Sequence, residues 1–520
     1  MENIIEIRPL QLALTDIRNA MLAAERKYQS YIDQVQPHYR DSARNLIHYL
    51  ALRSFDLRDL QWQLFSLGLS SLGHSERYTM VNLQNILFLL RLLNGGSPVG
   101  KSGGDAGLDV NYPRGKRRLD ENTISIFGPE EFAGHTRIMV TLPSEAADDY
   151  HLVKEMALAG MDVARINCSH DGPEAWLKMI ENLNLAKLET GRSILLYMDL
   201  EGPKLRTGAI APKISKKGKE KRGFIRLREG DALYLTPDST AAAIRPVFGD
   251  DGEQLSPGEI GVTLPDVFTD VKAGQHIWFD DGKIGGVVEV VLPNRIEVRI
   301  THVPGAEAKL RAEKGINLPD TTFQLPALTA SDLENLPLIA AHADLVGYSF
   351  VRRPSDVEAL QEELRLLQRE DIGIILKIET RETFTNLPAL LLTAMRSPRI
   401  GAMIARGDLA VELGFLRIAE VQEQILWLCE AAHIPTIWAT QILESLVKQG
   451  NATRAEISDA VLSVRAECAM LNKGPHIVEA IQLLRDIDRR MADHQVKKRS
   501  ALRPLNVARL FLGIEETLQG

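Results

Sequence analysis

Residues 374–380 read IILKIET and residues 403–412 read MIARGDLAVE, and these two stretches decide both the fold and the chemistry. In the first, apolar residues run straight into Lys377, Ile378 and Glu379. That is a buried strand whose period of two turns Lys377 and Glu379 into one space at its end. In the second, an apolar run ends in Arg406, Gly407 and Asp408, where the glycine lets backbone amides approach a ligand closely and Asp408 adds a second carboxylate. One cation, two carboxylates and free N–H groups suit a phosphate ester bound together with magnesium.

Six further apolar runs of the same kind surround these two. They are RIMV (137–140), DVARINCS (162–169), ILLYMDLEG (194–202), DLVGYSFV (344–351), TIWATQ (436–441) and CAMLNKG (468–474). Amphipathic helical stretches such as 149–158, 354–367 and 418–432 separate most of them, so the strands are expected to be parallel and buried on both faces. Eight such units predict an α/β fold, a (β/α)8 TIM barrel, with the site at the strands' C-terminal ends where the polar residues gather. The rhythm breaks once. Residues 209–316 alternate short strands (FIRLREG, ALYLTPD, HIWFDD, RIEVRITHV) with Gly and Pro turns, which predicts an inserted all-β domain acting as a lid. The basic run 213–222 is expected to be a solvated hairpin tip, and Asp280-Asp281-Gly282 a hairpin turn able to swing an aspartate over the site.

The barrel is thus expected over 136–208 and 317–492. Before it, residues 1–94 predict an all-helical N-terminal segment, because Leu14, Ile17, Met21, Ala24, Tyr28 and Ile32 recur at three and four, as do Leu57, Leu60, Leu64 and Leu67. His48 and His74 read as surface or cap residues, and the segment as docking on the main body or on another subunit. Residues 95–135, rich in glycine and scattered charge, read as a linker, and 493–520 as a basic then apolar tail.

With 520 residues, 45% of them hydrophobic, the chain can bury several cores. Its 61 Lys and Arg against 69 Asp and Glu leave a net charge of -8, which gives no reason to expect a nucleic-acid partner. Three scattered cysteines argue against a disulfide framework, and no long apolar run suggests a membrane segment, so a cytoplasmic location is expected.

Eight motifs in order, VARINCSH (163–170), MDLEGPKLRTG (198–208), FDDGKIGG (279–286), KGINLP (314–319), LKIET (376–380), IARGDLAVE (404–412), ATQILESL (439–446) and ATRAEISDAV (452–461), resemble the pyruvate kinase family over about residues 136–488. The resemblance implies phosphoryl transfer from phosphoenolpyruvate to ADP, giving pyruvate and ATP, with Mg2+ or Mn2+ as cofactor and a homo-oligomeric assembly. By the same resemblance Arg165 matches the arginine on the transferring phosphoryl group, Lys377 the lysine that stabilises phosphoryl and enolate, and Thr440 the threonine beside the enolate carbon. Glu379 and Asp408 match the Mg2+ ligands, and the amides of Arg406, Gly407 and Asp408 the holders of the substrate carboxylate. Asn167, Ser169 and Asp199 match the monovalent-cation site, and His170 and Arg206 the nucleotide side.

The chain departs from the family pattern in places. Leu200 and Lys204 stand where potassium-dependent relatives carry a threonine and a glutamate, which implies that the Lys204 ammonium replaces K+. The loops at 141–144 (TLPS) and 471–474 (LNKG), which normally face the nucleotide, are altered, with Lys473 restoring one phosphate contact. No stretch resembles the family's C-terminal regulatory domain, so no sugar-phosphate allosteric site of the usual kind is expected. Other readings of the same pattern are a transferase using phosphoenolpyruvate with another acceptor, a lyase working through a magnesium enolate of a 2-oxo acid, and a scaffold or regulator with weak catalysis.

Overall fold

Eight parallel strands close into a barrel in chain order: β1 (Arg137–Thr141), β2 (Val163–Asn167), β3 (Leu195–Asp199), β4 (Leu345–Tyr348), β5 (Gly373–Ile378), β6 (Ile400–Ala405), β7 (Thr436–Ala439) and β8 (Cys468–Leu471). This computed structural model describes residues 6–96, 111–129, 131, 135–214, 220–491 and 504–514. Each strand coincides with one of the predicted runs, β1 ending just past its run and β5 and β6 beginning before theirs.

The period of two sorts the barrel's inward side chains into layers. Val163, Tyr197, Leu345, Ile375, Met403 and Ile437 fill the lower interior. Two residues further along come Arg165 and Asp199, which pair across to Tyr197 and Gly347, and then Lys377 opposite Met403. Apolar packing below and charge above therefore follow from one alternation read along each strand. The intervening residues, such as Ile166, Leu196, Ile374 and Ile404, face the surrounding helices.

The floor of the barrel is closed by a helix that falls in the stretch expected to be a linker. Residues Tyr112–Phe127 are helical, with the Asn111 side chain accepting from the Arg114 amide, Pro113 in the first turn and Gly128 at φ 83° as the stop. Its last residues, Ile126 and Phe127, are buried among Met139, Val163, Ile375 and Cys468. The charges of RGKRR had concealed the apolar stripe of Leu119, Ile126 and Phe127. Residues 97–110 of that stretch lie outside the described residues.

The N-terminal segment contributes helices α1 (Ile7–Lys27), α2 (Gln29–Gln34), α3 (Arg40–Leu52), α4 (Arg58–Ser66) and α5 (Thr79–Leu93). It docks on the barrel of the same chain. Gln36 donates to the carbonyls of Met395 and Arg396, Asn45 to that of Ala431, and Arg77 pairs with Glu430 at 2.7 Å. One continuous apolar core runs from Leu10 through the barrel helices to Ala508. His48 is no surface residue: it is 1% exposed, and its Nε2 meets Glu25 at 2.8 Å, because α3 is sandwiched between α1 and the barrel. The described part of the tail is also ordered into a helix, Asn506–Leu512, which packs on α3 and on Arg381–Ala394. Tyr28, at the break between α1 and α2, stacks on Phe511 at 5.0 Å and donates to its carbonyl.

Between β3 and β4 the chain builds a six-stranded sheet in the order Gly258–Gly261, Ala232–Thr236, Arg295–His302, Ile284–Leu292, His276–Phe279 and Ile316–Asn317. It has its own apolar core, around Leu233, Val267, Phe279, Val298 and Leu310. The basic run forms a short hairpin of Lys213–Ile214 with Glu220–Lys221, its tip lying outside the described residues. Among the described residues no helix is long and apolar enough to cross a membrane.

Candidate active site at the barrel mouth

The charged layer is built around Asp199, which is fully buried at the end of β3. The Nε and Nη2 of Arg165 donate to its Oδ2 at 3.1 and 2.5 Å, the Lys377 ammonium stands 3.3 Å from the same oxygen, and the Tyr197 hydroxyl donates to Oδ1 at 3.0 Å. Burial works against the Asp199 charge, but Lys377 and Arg165 outweigh it and hold the carboxyl below its usual range. The space exists because β4 carries Gly347 there: a Cβ would lie 1.9 Å from the Tyr197 hydroxyl oxygen and 2.4 Å from Asp199 Oδ1. Asp199 is the shared counter-ion that lets a guanidinium and an ammonium stand side by side.

Lys377 donates further to Ser349 Oγ at 2.6 Å and meets Glu379 Oε1 at 3.0 Å; Ser349 in turn donates to the Leu200 carbonyl. Burial opposes the ammonium, while Asp199 and Glu379 raise its pKa above the ordinary lysine value. Glu379, 3% exposed, also accepts from the Phe350 amide at 2.8 Å. Its carboxyl is pushed up, first by burial and then by the Asp408 charge nearby.

Asp408 lies in the first turn of the helix Arg406–Leu413, whose leading amides have no helical partner of their own. Both of its oxygens accept from the Lys204 ammonium, at 3.0 Å each. The hydrogen bonds described for the Lys204 ammonium go to Asp408, and its chain enters the ribbon that leads into the insert. Asn167 and Ser169 stay together, the Ser169 amide donating to Asn167 Oδ1, and Asp199 is their neighbour across β2 and β3 but is spent on Arg165 and Lys377.

Thr440 closes another side. It leaves β7 at φ 68°, a strained conformation for a β-branched residue, followed by Gln441 at 59°. Arg406 braces this elbow: its guanidinium donates to the carbonyls of Ala439 and Thr440, pairs with Asp459 through both nitrogens, and lies over the Trp438 ring. The Thr440 hydroxyl is buried without a hydrogen-bond partner and faces Gly407. A buried hydroxyl left unpaired beside free amides is a group waiting for a ligand.

On the outer side, burial and the charges of Lys473 and Arg206 lower the His170 imidazole pKa, so these three residues share one electrostatic patch. Arg206 also reaches the Glu313 carbonyl. Ser349, Asn317, Glu412 and Asp459 had no role in the sequence reading. Asn317 donates to Glu412 Oε1 at 3.1 Å, and burial, reinforced by Asp408, pushes Glu412 up to about 7. Ser349 could have been found, since it ends a barrel strand; Asn317 comes from the insert and gave no local signal.

The donor set suits a hard divalent cation. Glu379 and Asp408 offer carboxylate oxygens that repel one another, and the ammonium groups of Lys377 and Lys204 stand against them where a cation would balance the same charge. Among the described residues no group of three or more His, Cys, Asp or Glu gathers into a metal cage. Two carboxylates with the remaining positions open is how Mg2+ is usually held beside a phosphate substrate.

Residues 133–475 match the family model described as pyruvate kinase, barrel domain. The chain is similar to the pyruvate kinases of Bacillus licheniformis and Geobacillus stearothermophilus, each at 32% identity over 359 residues, and to that of Staphylococcus aureus strain USA300 at 29%. Each comparison covers 68% of this chain and 56% of the relative, so the chain spans a little over half the length of the curated relatives it matches.

Proposed function

The chain belongs to the pyruvate kinase family, and from that premise we propose that it transfers the phosphoryl group of phosphoenolpyruvate to ADP, giving pyruvate and ATP. The observation that carries this reading is the convergence of Arg165, Lys377 and Glu379 on one buried mouth, with Asp408 close enough to Glu379 to raise its pKa. A guanidinium fork and an ammonium side by side are what a phosphoryl group in transit requires.

In this reading Arg165 and Lys377 hold the phosphoryl oxygens, and Asp199 keeps both cations fixed before substrate arrives. The leading amides of Arg406–Leu413 hold the substrate carboxylate. The Thr440 hydroxyl, unpaired and facing Gly407, meets the carbon that takes up a proton as pyruvate forms. Glu379 and Asp408 are the residues that would hold Mg2+, which supplies positive charge to the developing enolate and phosphoryl oxygens. His170, Arg206 and Lys473 would take the nucleotide phosphates. Residues 209–316 act as the lid over the barrel of 136–208 and 317–492. We further propose that K+ is not required, since Lys204 keeps a fixed positive charge beside Asp408 and the buried Leu200 offers no side-chain oxygen.

Incubation with phosphoenolpyruvate, Mg2+ and a panel of nucleoside diphosphates tests the proposal. Pyruvate should appear with ADP, and its absence with every diphosphate overturns the assignment. Lys377→Met should abolish turnover while Mn2+ binding persists.

A further inference from the structure

Two side chains of the ribbon that joins the barrel to the insert reach the helix Arg406–Leu413, one gripping Asp408 and the other Glu412. The outgoing strand of that ribbon carries Lys204, and the returning strand carries Asn317. They are zipped together by Thr207 N to Lys314 O, Glu313 N to Thr207 O and Ile316 N to Leu205 O, each at 2.9 Å. The Lys204 stem runs beside Gly315, its Cε 3.4 Å from where a Cβ would stand. Asn317 is itself locked into the insert's sheet, in register with Trp278, and is only 7% exposed.

We propose that Asn317 is a positioning residue, its side-chain amide holding Glu412 and, through the helix the two acids share, Asp408, and so tying the insert to the metal-binding acid. The proposal rests on the reading of Asp408 as a metal ligand. Asn317 Nδ2 donates to Glu412 Oε1 at 3.1 Å, and Glu412 stands one turn beyond Asp408 on the same helix. The chemistry of the two grips differs. A divalent cation and the Lys204 ammonium compete for the same two oxygens of Asp408. The neutral amide of Asn317 bonds Glu412, so it takes up none of the Asp408 oxygens in that bond and bears no charge to be displaced. Asn317 can therefore hold the turn that carries Asp408 in both the free and the metal-loaded protein.

Mn2+ binding to the full chain without substrate, followed by electron paramagnetic resonance, tests this. Asn317→Ala should weaken Mn2+ binding about tenfold, as loss of an outer support of a metal ligand commonly does. It should also raise KM for phosphoenolpyruvate more than it lowers kcat. Adding Glu412→Gln to that variant removes the charge Asn317 had restrained and should recover part of the Mn2+ affinity. A merely structural role predicts a lower melting temperature, an unchanged Mn2+ Kd in the folded protein and no recovery in the double variant. Should Asn317→Ala not fold, Asn317→Ser, whose shorter side chain falls short of Glu412, carries the same expectation. Asp408→Asn separates the two levels. If it binds Mn2+ like the wild type, the metal reading and this proposal both fall; if it loses Mn2+ while Asn317→Ala and Asn317→Ser bind normally, this proposal alone falls.

Discussion

Lowering the pH from 7.5 to 5 should cost the folded chain about 2 kcal/mol at His433 alone. His433 is fully buried where the N-terminal segment meets the barrel. Its Nε2 faces the Arg77 carbonyl at 2.9 Å and must donate, so its Nδ1 accepts from the Ser42 hydroxyl at 2.9 Å. Both partners belong to the helical segment, and both are satisfied by the neutral ring. Burial, with Arg118 and Arg77 nearby, drives the folded value down to about 4 from an ordinary 6.5. The folded protein thus binds fewer protons than the unfolded chain between these values. Stability is full above 6.5 and falls as the pH drops below it, by about 2 kcal/mol at pH 5. Chemical unfolding of the wild type and of His433→Gln across pH 7.5 to 5 measures the difference. His135, driven down to about 3 by burial and Arg485, adds a loss of the same sign, and Asp488, raised to about 6 by burial, opposes it; both persist in the variant and cancel. The variant, lower in stability at pH 7.5, should show a shallower slope. Parallel curves for the two proteins would refute the reasoning.

Turnover in sodium buffer should equal that in potassium buffer, and Lys204→Gln should lower the rate in sodium by at least about tenfold, as removal of a fixed charge from an active site does; a strong potassium requirement in the wild type refutes the substitution. Thr440→Val keeps the shape of the elbow and removes a hydroxyl that has no partner, so the melting temperature should hold or rise while turnover falls roughly a hundredfold. A large loss of stability with full activity would show the hydroxyl to be structural.

The barrel was legible because its strands obey a short period and end in charge: IILKIET places Lys377 and Glu379 on one side whatever the tertiary structure does. The pairing of Lys204 with Asp408 was not, since it depends on a ribbon whose two strands are separated by the whole insert. The same non-local geometry hid Asn317, although KGINLP itself was visible. Helix Tyr112–Phe127 was missed for a local reason, the basic cluster RGKRR outweighing three apolar positions, and His48 because nothing near it announced that α3 would be covered on both sides.

The apolar layer inside the barrel, with Ile126 and Phe127 beneath it, is a solid plug, so the charged layer above it opens at one rim. On the proposed reading, whatever reaches the charged layer must leave past the same rim, beside the sheet that Lys204 and Asn317 tie to it. Changes to the floor should then alter how firmly the vessel stands without altering what it turns over.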